Sequence, residues 1–194
     1  PNQQWRFLTA REGWLQIEAR HSGKVLDTGA CESGGSIRQA SRLDQSCQHF
    51  RLQPVEAVKL INANSGRVVA VDEGGTADGA DVVLWSDTGT AEQQWRFTHQ
   101  ENGFYQVVAS HSTKCLAVSG NAMADGADVI QSDCTGDTNQ QWRSEPLNDG
   151  TVRLVAREGG KVLDAANCRM GDGTDVQQWS WLDNLCQRFR VAVP

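Results

Sequence analysis

Apolar residues in this chain seldom run together. They alternate with polar ones for a few positions and then stop at a cluster of Gly, Ser, Asn or Asp. Trp14-Leu15-Gln16-Ile17-Glu18-Ala19 is one such stretch, and the small polar turn Ser22-Gly23-Lys24 leads on into Val25-Leu26-Asp27. Side chains that repeat with period two belong to strands with one buried face, and turn chemistry at roughly 8–12 residue intervals keeps those strands short. No window long enough for a helix shows a 3.6-residue period. The pattern predicts an all-β protein.

The strands come in sets. Gln-x-Trp or Gln-x-Phe recurs at Gln3-Gln4-Trp5, Gln48-His49-Phe50, Gln93-Gln94-Trp95, Gln140-Gln141-Trp142 and Gln187-Arg188-Phe189, and each aromatic is followed by Arg. The step is about 46 residues, which makes the chain a repeat protein of about four strands per repeat. Each period holds a first short strand, an alternating strand, a small polar turn, a short strand, a Gly/Asp-rich turn and a final strand. That last turn is Ala77-Asp78-Gly79-Ala80-Asp81 in repeat two and Ala124-Asp125-Gly126-Ala127-Asp128 in repeat three. The acidic turns Asp72–Asp81, Asp125–Asp128 and Asp172–Asp175 lack the alternating carboxylates and distal Glu of an EF-hand loop and are expected to be hairpin turns. No metal site or cofactor is expected.

Composition narrows the function classes. With a net charge of −6 and no Lys/Arg cluster, the chain has no surface suited to neutralising phosphates, so nucleic acid is not an expected partner. No stretch approaches the roughly 18 apolar residues of a membrane span. Six cysteines fall as within-repeat pairs, Cys31 with Cys47, Cys115 with Cys134 and Cys168 with Cys186. Without metal-type spacing, disulfides are expected and free structural thiols are the alternative; disulfides imply a secreted protein. The opening Pro1-Asn2-Gln3, with no Met or signal peptide, reads as an excised segment of a longer chain. The four His occupy unrelated places in the repeats, and no carboxylate pair stands in a context that would split two pKa values, so no catalytic residues are expected.

The fivefold Gln-x-aromatic motif resembles that of the ricin B-chain-like lectins and related xylan-binding modules, and the resemblance covers the whole chain. It implies a β-trefoil of three repeats about a pseudo-threefold axis, with Trp5, Phe50, Trp95, Trp142 and Phe189 in the core. Four repeats leave one over. Repeats one and four share Gly-Lys-Val-Leu-Asp and Leu-Asp-x-x-Cys-Gln-x-Phe, and the segment after Phe50 lacks the Gly turn found after Trp5, Trp95 and Trp142. Residues 52–194 are therefore expected to form a complete trefoil, and residues 1–51 the closing repeat of an upstream, incomplete one. That orphan repeat carries core-type Leu15, Ile17, Val25, Leu26 and Ile37, which one repeat alone cannot bury.

The resemblance also implies where a sugar would sit. A family site has an Asp that accepts from sugar hydroxyls, an aromatic about fifteen residues later that stacks on the ring, a Gln two residues before that aromatic and an Asn near the Gln-x-Trp. Repeat four keeps Asp164, Gln177 and Trp179, with Asn184 and Gln187 nearby and Trp181 placed as a second wall. Cys186 stands where many relatives have Asn. Repeat one keeps Asp27 but has Arg38 and Ala40; repeat two keeps Trp85 but has Ala70; repeat three has Ala117 and Ser132. Turn capping is the alternative role for Asp27 and Asp164. The implied function is carbohydrate binding without catalysis, on a galactose-, xylose- or arabinose-containing polysaccharide, beside a catalytic or further trefoil domain in the parent chain. A free lectin or toxin-binding subunit, and a protein-binding trefoil, are the alternatives.

Overall fold

A computed structural model of the protein describes residues 4–10, 14–29, 31, 36–50 and 57–194. The chain divides into two compact units, Pro1–Pro54 and Val55–Pro194; the expected boundary at Leu52 lies outside the described residues.

Among its described residues the second unit contains twelve strands in one connected sheet. They are β5 (Lys59–Asn62), β6 (Val68–Val71), β7 (Val82–Trp85), β8 (Trp95–His99), β9 (Tyr105–Ala109), β10 (Cys115–Val118), β11 (Ala127–Ser132), β12 (Gln141–Pro146), β13 (Val152–Ala156), β14 (Val162–Ala165), β15 (Thr174–Trp179) and β16 (Phe189–Ala192). Strands β8, β9, β12, β13, β16 and β5 pair in that order, and the bridge from Val58 to Trp95 returns the circle to β8. The hairpins β6–β7, β10–β11 and β14–β15 form a triangular cap, joined through β11–β15, β15–β7 and an Asp81–Ile130 bridge. A six-stranded barrel capped by three hairpins is a β-trefoil.

Strand β16 pairs with β5 as β8 pairs with β9 and β12 with β13: Phe189 lies opposite Asn62, as Trp95 lies opposite Ala109 and Trp142 opposite Ala156. The barrel is closed by its own C-terminal strand. Trp95, Trp142 and Phe189 are fully buried and share one cluster with Leu60, Val107 and Leu154. Each indole N–H is satisfied by a backbone carbonyl at 2.9 Å, Val69 for Trp95 and Leu116 for Trp142, as a buried Trp requires.

The first unit is a single sheet of β1 (Trp5–Thr9), β2 (Leu15–Ala19), β3 (Val25–Asp27) and β4 (Arg38–Ala40). Its register repeats that of the second unit, with Trp5 opposite Ala19 and a Leu15–Phe50 bridge. Here the expected core fails in part. Trp5 is 39% exposed and Ile37 65% exposed, while Leu15, Ile17, Leu26 and Phe50 are half-buried and only Val25 is fully enclosed. In the second unit two further repeats close over the matching positions.

Disulfides join Cys31 to Cys47, Cys115 to Cys134 and Cys168 to Cys186, each within one repeat.

Because β16 completes both barrel and core, Phe189→Ala is expected to cost about 3–5 kcal/mol, the usual result of truncating a buried aromatic. Urea unfolding of the variant measures it, and a loss below about 1 kcal/mol would mean that the strand is dispensable.

Candidate functional site

Repeat four contains a cleft of about 160 Å³ lined by Asp164, Asn167, Cys168, Gln177, Trp179, Leu182 and Asn184. The hairpin β14–β15 builds it. Asp164 lies directly opposite Gln177, and Gln177 Nε2 donates to Asp164 Oδ2 at 2.8 Å. Strand alternation puts Trp179 on the face of Gln177, half-exposed, while Val176 and Gln178 point inward. An acceptor, an amide and an aromatic ring thus share one wall.

Asp164 is buried, and that burial pushes its carboxyl above the usual range against the opposing hydrogen bonds from Gln177 and Gln187; the charge of Asp125 adds to the rise. Gln187 is itself fully buried and does not line the cleft. Its Nε2 donates to Ser180 O at 2.9 Å and its Oε1 accepts from Leu182 N at 2.7 Å. The motif glutamine makes the same staple in every repeat, through Gln48 to Ser41 and Leu43, Gln93 to Ser86 and Thr88, and Gln140 to Asp133 and Thr135. Its place is under the site, holding the loop and the Asp164 carboxylate.

Asn184 Oδ1 accepts from Cys186 N at 3.1 Å, which fixes the side chain at the rim. Asn167, absent from the sequence-based set, also lines the cleft; the signal available was an Asn three residues after the Asp, in a turn where it adopts the left-handed conformation with φ 55°. The Cys168–Cys186 disulfide ties these two rims together. Trp181 is not a second wall. Its ring lies 4.8 Å from the Arg153 guanidinium and lines a separate, polar cleft with Asp149 and Arg188.

The other repeats depart from this arrangement. In repeat one Asp27 is fully engaged: Oδ1 accepts from Gly29 N at 2.6 Å and Arg38 Nε at 3.3 Å, and Oδ2 from Gln48 Nε2 at 3.0 Å. Those bonds, Gln48 foremost, hold its carboxyl below the usual range, and Ala40 offers no ring. In repeat three Ala117 faces Ile130 and Ser132 replaces the aromatic. Repeat two has Ala70 facing Val83, yet its Trp85 is exposed beside a cleft of about 220 Å³.

The Asp/Gly turns reach across repeats. Asp125 accepts from Ser180 N at 2.7 Å and pairs with Lys161 at 2.6 Å, both in repeat four. Gly126 N donates to Gln178 O at 2.9 Å, and a Cβ on Gly126 would stand 3.4 Å from the Trp179 ring. Asp172 binds Ser86 and Arg67 of repeat two in the same way, and Asp78 binds Asp133 and Lys114 of repeat three. Each hairpin end is therefore pinned by the preceding repeat around the axis.

The sequence matches the family model described as ricin-type beta-trefoil lectin domain-like, over residues 1–85 and 91–179. No curated protein sequence matches it. Among solved structures it is similar to ThreeFoil, a designed 3-fold symmetric protein, with 41% identity and a TM-score of 0.70 over 71% of this chain and 98% of that one. It is also similar to an exo-beta-1,3-galactanase from Clostridium thermocellum, with 26% identity and a TM-score of 0.71; the match covers 93% of this chain but only 39% of the galactanase. A ricin B-like lectin from Macrolepiota procera, solved in complex with lactose, shares the fold at 19% identity and a TM-score of 0.64, over 75% of this chain and 100% of the lectin.

The clasp makes a pH prediction. Hydrogen bonds from Lys114, Lys161 and Arg67 hold Asp78, Asp125 and Asp172 below the ordinary carboxylate range. A carboxyl depressed on folding stabilises the fold above its unfolded value of about 4, and that stabilisation is lost as the pH falls through the folded value. Urea midpoints are expected to hold steady down to about pH 4 and then to decline, and Asp125→Asn to flatten part of that decline; an unchanged acid profile would show that the clasp contributes nothing.

Proposed function

The chain belongs to the ricin-type beta-trefoil lectin domain-like family, and from that membership we propose that it binds carbohydrate through the cleft of repeat four. The observation that carries this reading is the Asp164–Gln177 pair on the same strand face as Trp179. A pyranose has a C–H face that packs on an aromatic ring and a rim of hydroxyls that need directional partners. Trp179 offers the ring, the ionised Asp164 a charge-assisted acceptor, and Gln177, Asn167 and Asn184 short polar groups around them. Gln187 acts from beneath by orienting Asp164. The domain itself is non-catalytic in this reading.

We infer further that it serves as the targeting module of a polysaccharide-degrading enzyme outside the cell. The galactanase relative, of which this chain matches 39%, and the three disulfides support that placement. Galactose-containing polysaccharide is the first ligand to test, with xylan and arabinan beside it.

In calorimetry against such glycans, one site is expected to bind at about millimolar Kd, roughly −4 kcal/mol, with useful retention on a polymer arising from several linked modules. Trp179→Ala and Asp164→Ala are each expected to weaken binding at least about tenfold while leaving thermal stability nearly unchanged. Because burial raises Asp164, the ionised acceptor is lost on acidification before ordinary carboxylates titrate, so affinity is expected to fall while the fold is still intact. Intact binding together with a large stability loss in Trp179→Ala would make that residue structural and overturn the reading.

The first unit supports a second proposal. Its exposed Trp5 and half-buried Ile17 occupy the places that are core in the second unit, so residues 1–51 act as the closing repeat of another trefoil whose two remaining repeats come from the parent chain. In the 194-residue chain they are expected to be digested first in limited proteolysis, leaving a resistant core that begins near Leu52. A monomer by light scattering in which residues 1–51 resist protease overturns this, and a trimer would assign the missing repeats to other copies.

A further inference from the structure

We propose that the cleft of repeat two is a second binding site, built for a sugar ring that carries a protonated amine. The proposal rests on the reading of repeat four as a sugar site, since it transfers the stacking wall and changes the polar partners.

The wall is the same. Trp85 pairs with Val68 as Trp179 pairs with Val162, and 40% of it is exposed. The neighbouring repeat holds it in the same way: Gly173 N donates to Leu84 O at 3.0 Å, a Cβ on Gly173 would lie 3.7 Å from the Trp85 ring, and Asp172 accepts from Ser86 N at 2.7 Å. The comparison has an internal control in repeat three. There Ser132 stands in the aromatic place, and a Cβ on Gly79 would meet nothing within 4 Å. The clasp against a ring is thus kept where a cleft is kept, and the repeat-two cleft, about 220 Å³, is the larger of the two.

The polar partners have moved. Ala70 and Val83 replace the facing Asp and Gln, so that strand pair offers no side-chain acceptor. Carboxylates stand round it instead. Asp72 and Glu73 lie on the turn after β6, Glu73 at the place of Asn167; Glu92 stands at the place of Cys186, its carboxyl carbon 3.9 Å from where a Cβ on Gly74 would be. The lining contains no Lys, Arg or His. The nearby cations are committed elsewhere, Lys59 to Asp87 at 2.8 Å and Arg67 to Asp172 at 2.6 Å. A neutral pyranose would gain the ring and hydroxyl bonds to the carboxylates but no charge pairing, and a uronic acid would be repelled. An ammonium-bearing ring gains both charge-assisted bonds to the carboxylates and attraction to the indole face.

The test uses the full chain carrying Trp179→Ala, which silences the first site, and follows the Trp85 indole N–H resonance during titration with glucosamine, N-acetylglucosamine and glucose. Glucosamine is expected to shift it saturably, at least about tenfold more tightly than the other two, and added salt to weaken the binding. Glu73→Gln with Glu92→Gln is expected to remove that preference, and Trp85→Ala the binding itself. Equal binding of the three sugars would overturn the amine specificity. A silent Trp85 with all three, or glucosamine binding that survives Trp85→Ala, would overturn the site. None of these outcomes depends on Asp164 or Trp179, so failure here is distinguishable from failure of the repeat-four reading.

Discussion

Three aromatic rings from three repeats have to meet inside one barrel, and that requirement organises the second unit. Trp95, Trp142 and Phe189 are fully buried in a common cluster. None of the hairpins that carry them could bury such a ring alone, because a single hairpin has only one face and nothing to close over it. Burial of an aromatic side chain is worth on the order of 2–3 kcal/mol in transfer alone, and here it is available only when all three repeats are present in register. The C-terminal strand β16 is bound by the same need, since it brings the third ring. The first unit shows the converse: the same register without companion repeats leaves Trp5 39% exposed.

Much of this was legible as sequence because it depends on local period. The strand alternation that turns Trp179 away from Val176 is a count of two, and the pairing of Asp164 with Gln177 follows from the length of one hairpin. The points that were not legible lie where period stops. Strand β15 ends at Trp179, and Asp125 then pins Ser180, so alternation no longer says where Trp181 points; its ring turns to Arg153 instead. Asn167 was missed because it sits in a left-handed turn rather than on a strand. Gln187 was placed at the site on family resemblance, whereas its amide is consumed in a loop staple common to all four repeats. That β5 would pair with β16, more than a hundred residues away, has no local signature at all.

The motif glutamine explains how recognition can change while the fold persists. Gln93 and Gln140 complete their staples over Ala70 and Ala117 as fully as Gln48 does over Asp27. Loop geometry therefore does not rely on the carboxylate, and a repeat that loses its Asp keeps its shape. Replacing Asp with Ala also removes a buried charge that costs free energy to desolvate, visible in repeat four as the upward shift of Asp164. In repeat four the retained Asp164 therefore carries a desolvation cost that Ala70 and Ala117 do not.

Retention in repeat four is not a property of repeat four alone. Asp125 and Gly126, which belong to repeat three, set the strand end that carries Trp179, and Asp125 is also the charge that raises Asp164. One residue of repeat three therefore acts on both the strand end that carries Trp179 and the Asp164 carboxyl next door. Repeat four does the same for Trp85 through Asp172 and Gly173. Repeat three has Ala117 and Ser132 at the places of Asp164 and Trp179, yet a shift of its turn would disturb its neighbour. In a closed ring of repeats, the residues that shape one hairpin end are partly held in place by the turn of the repeat before it.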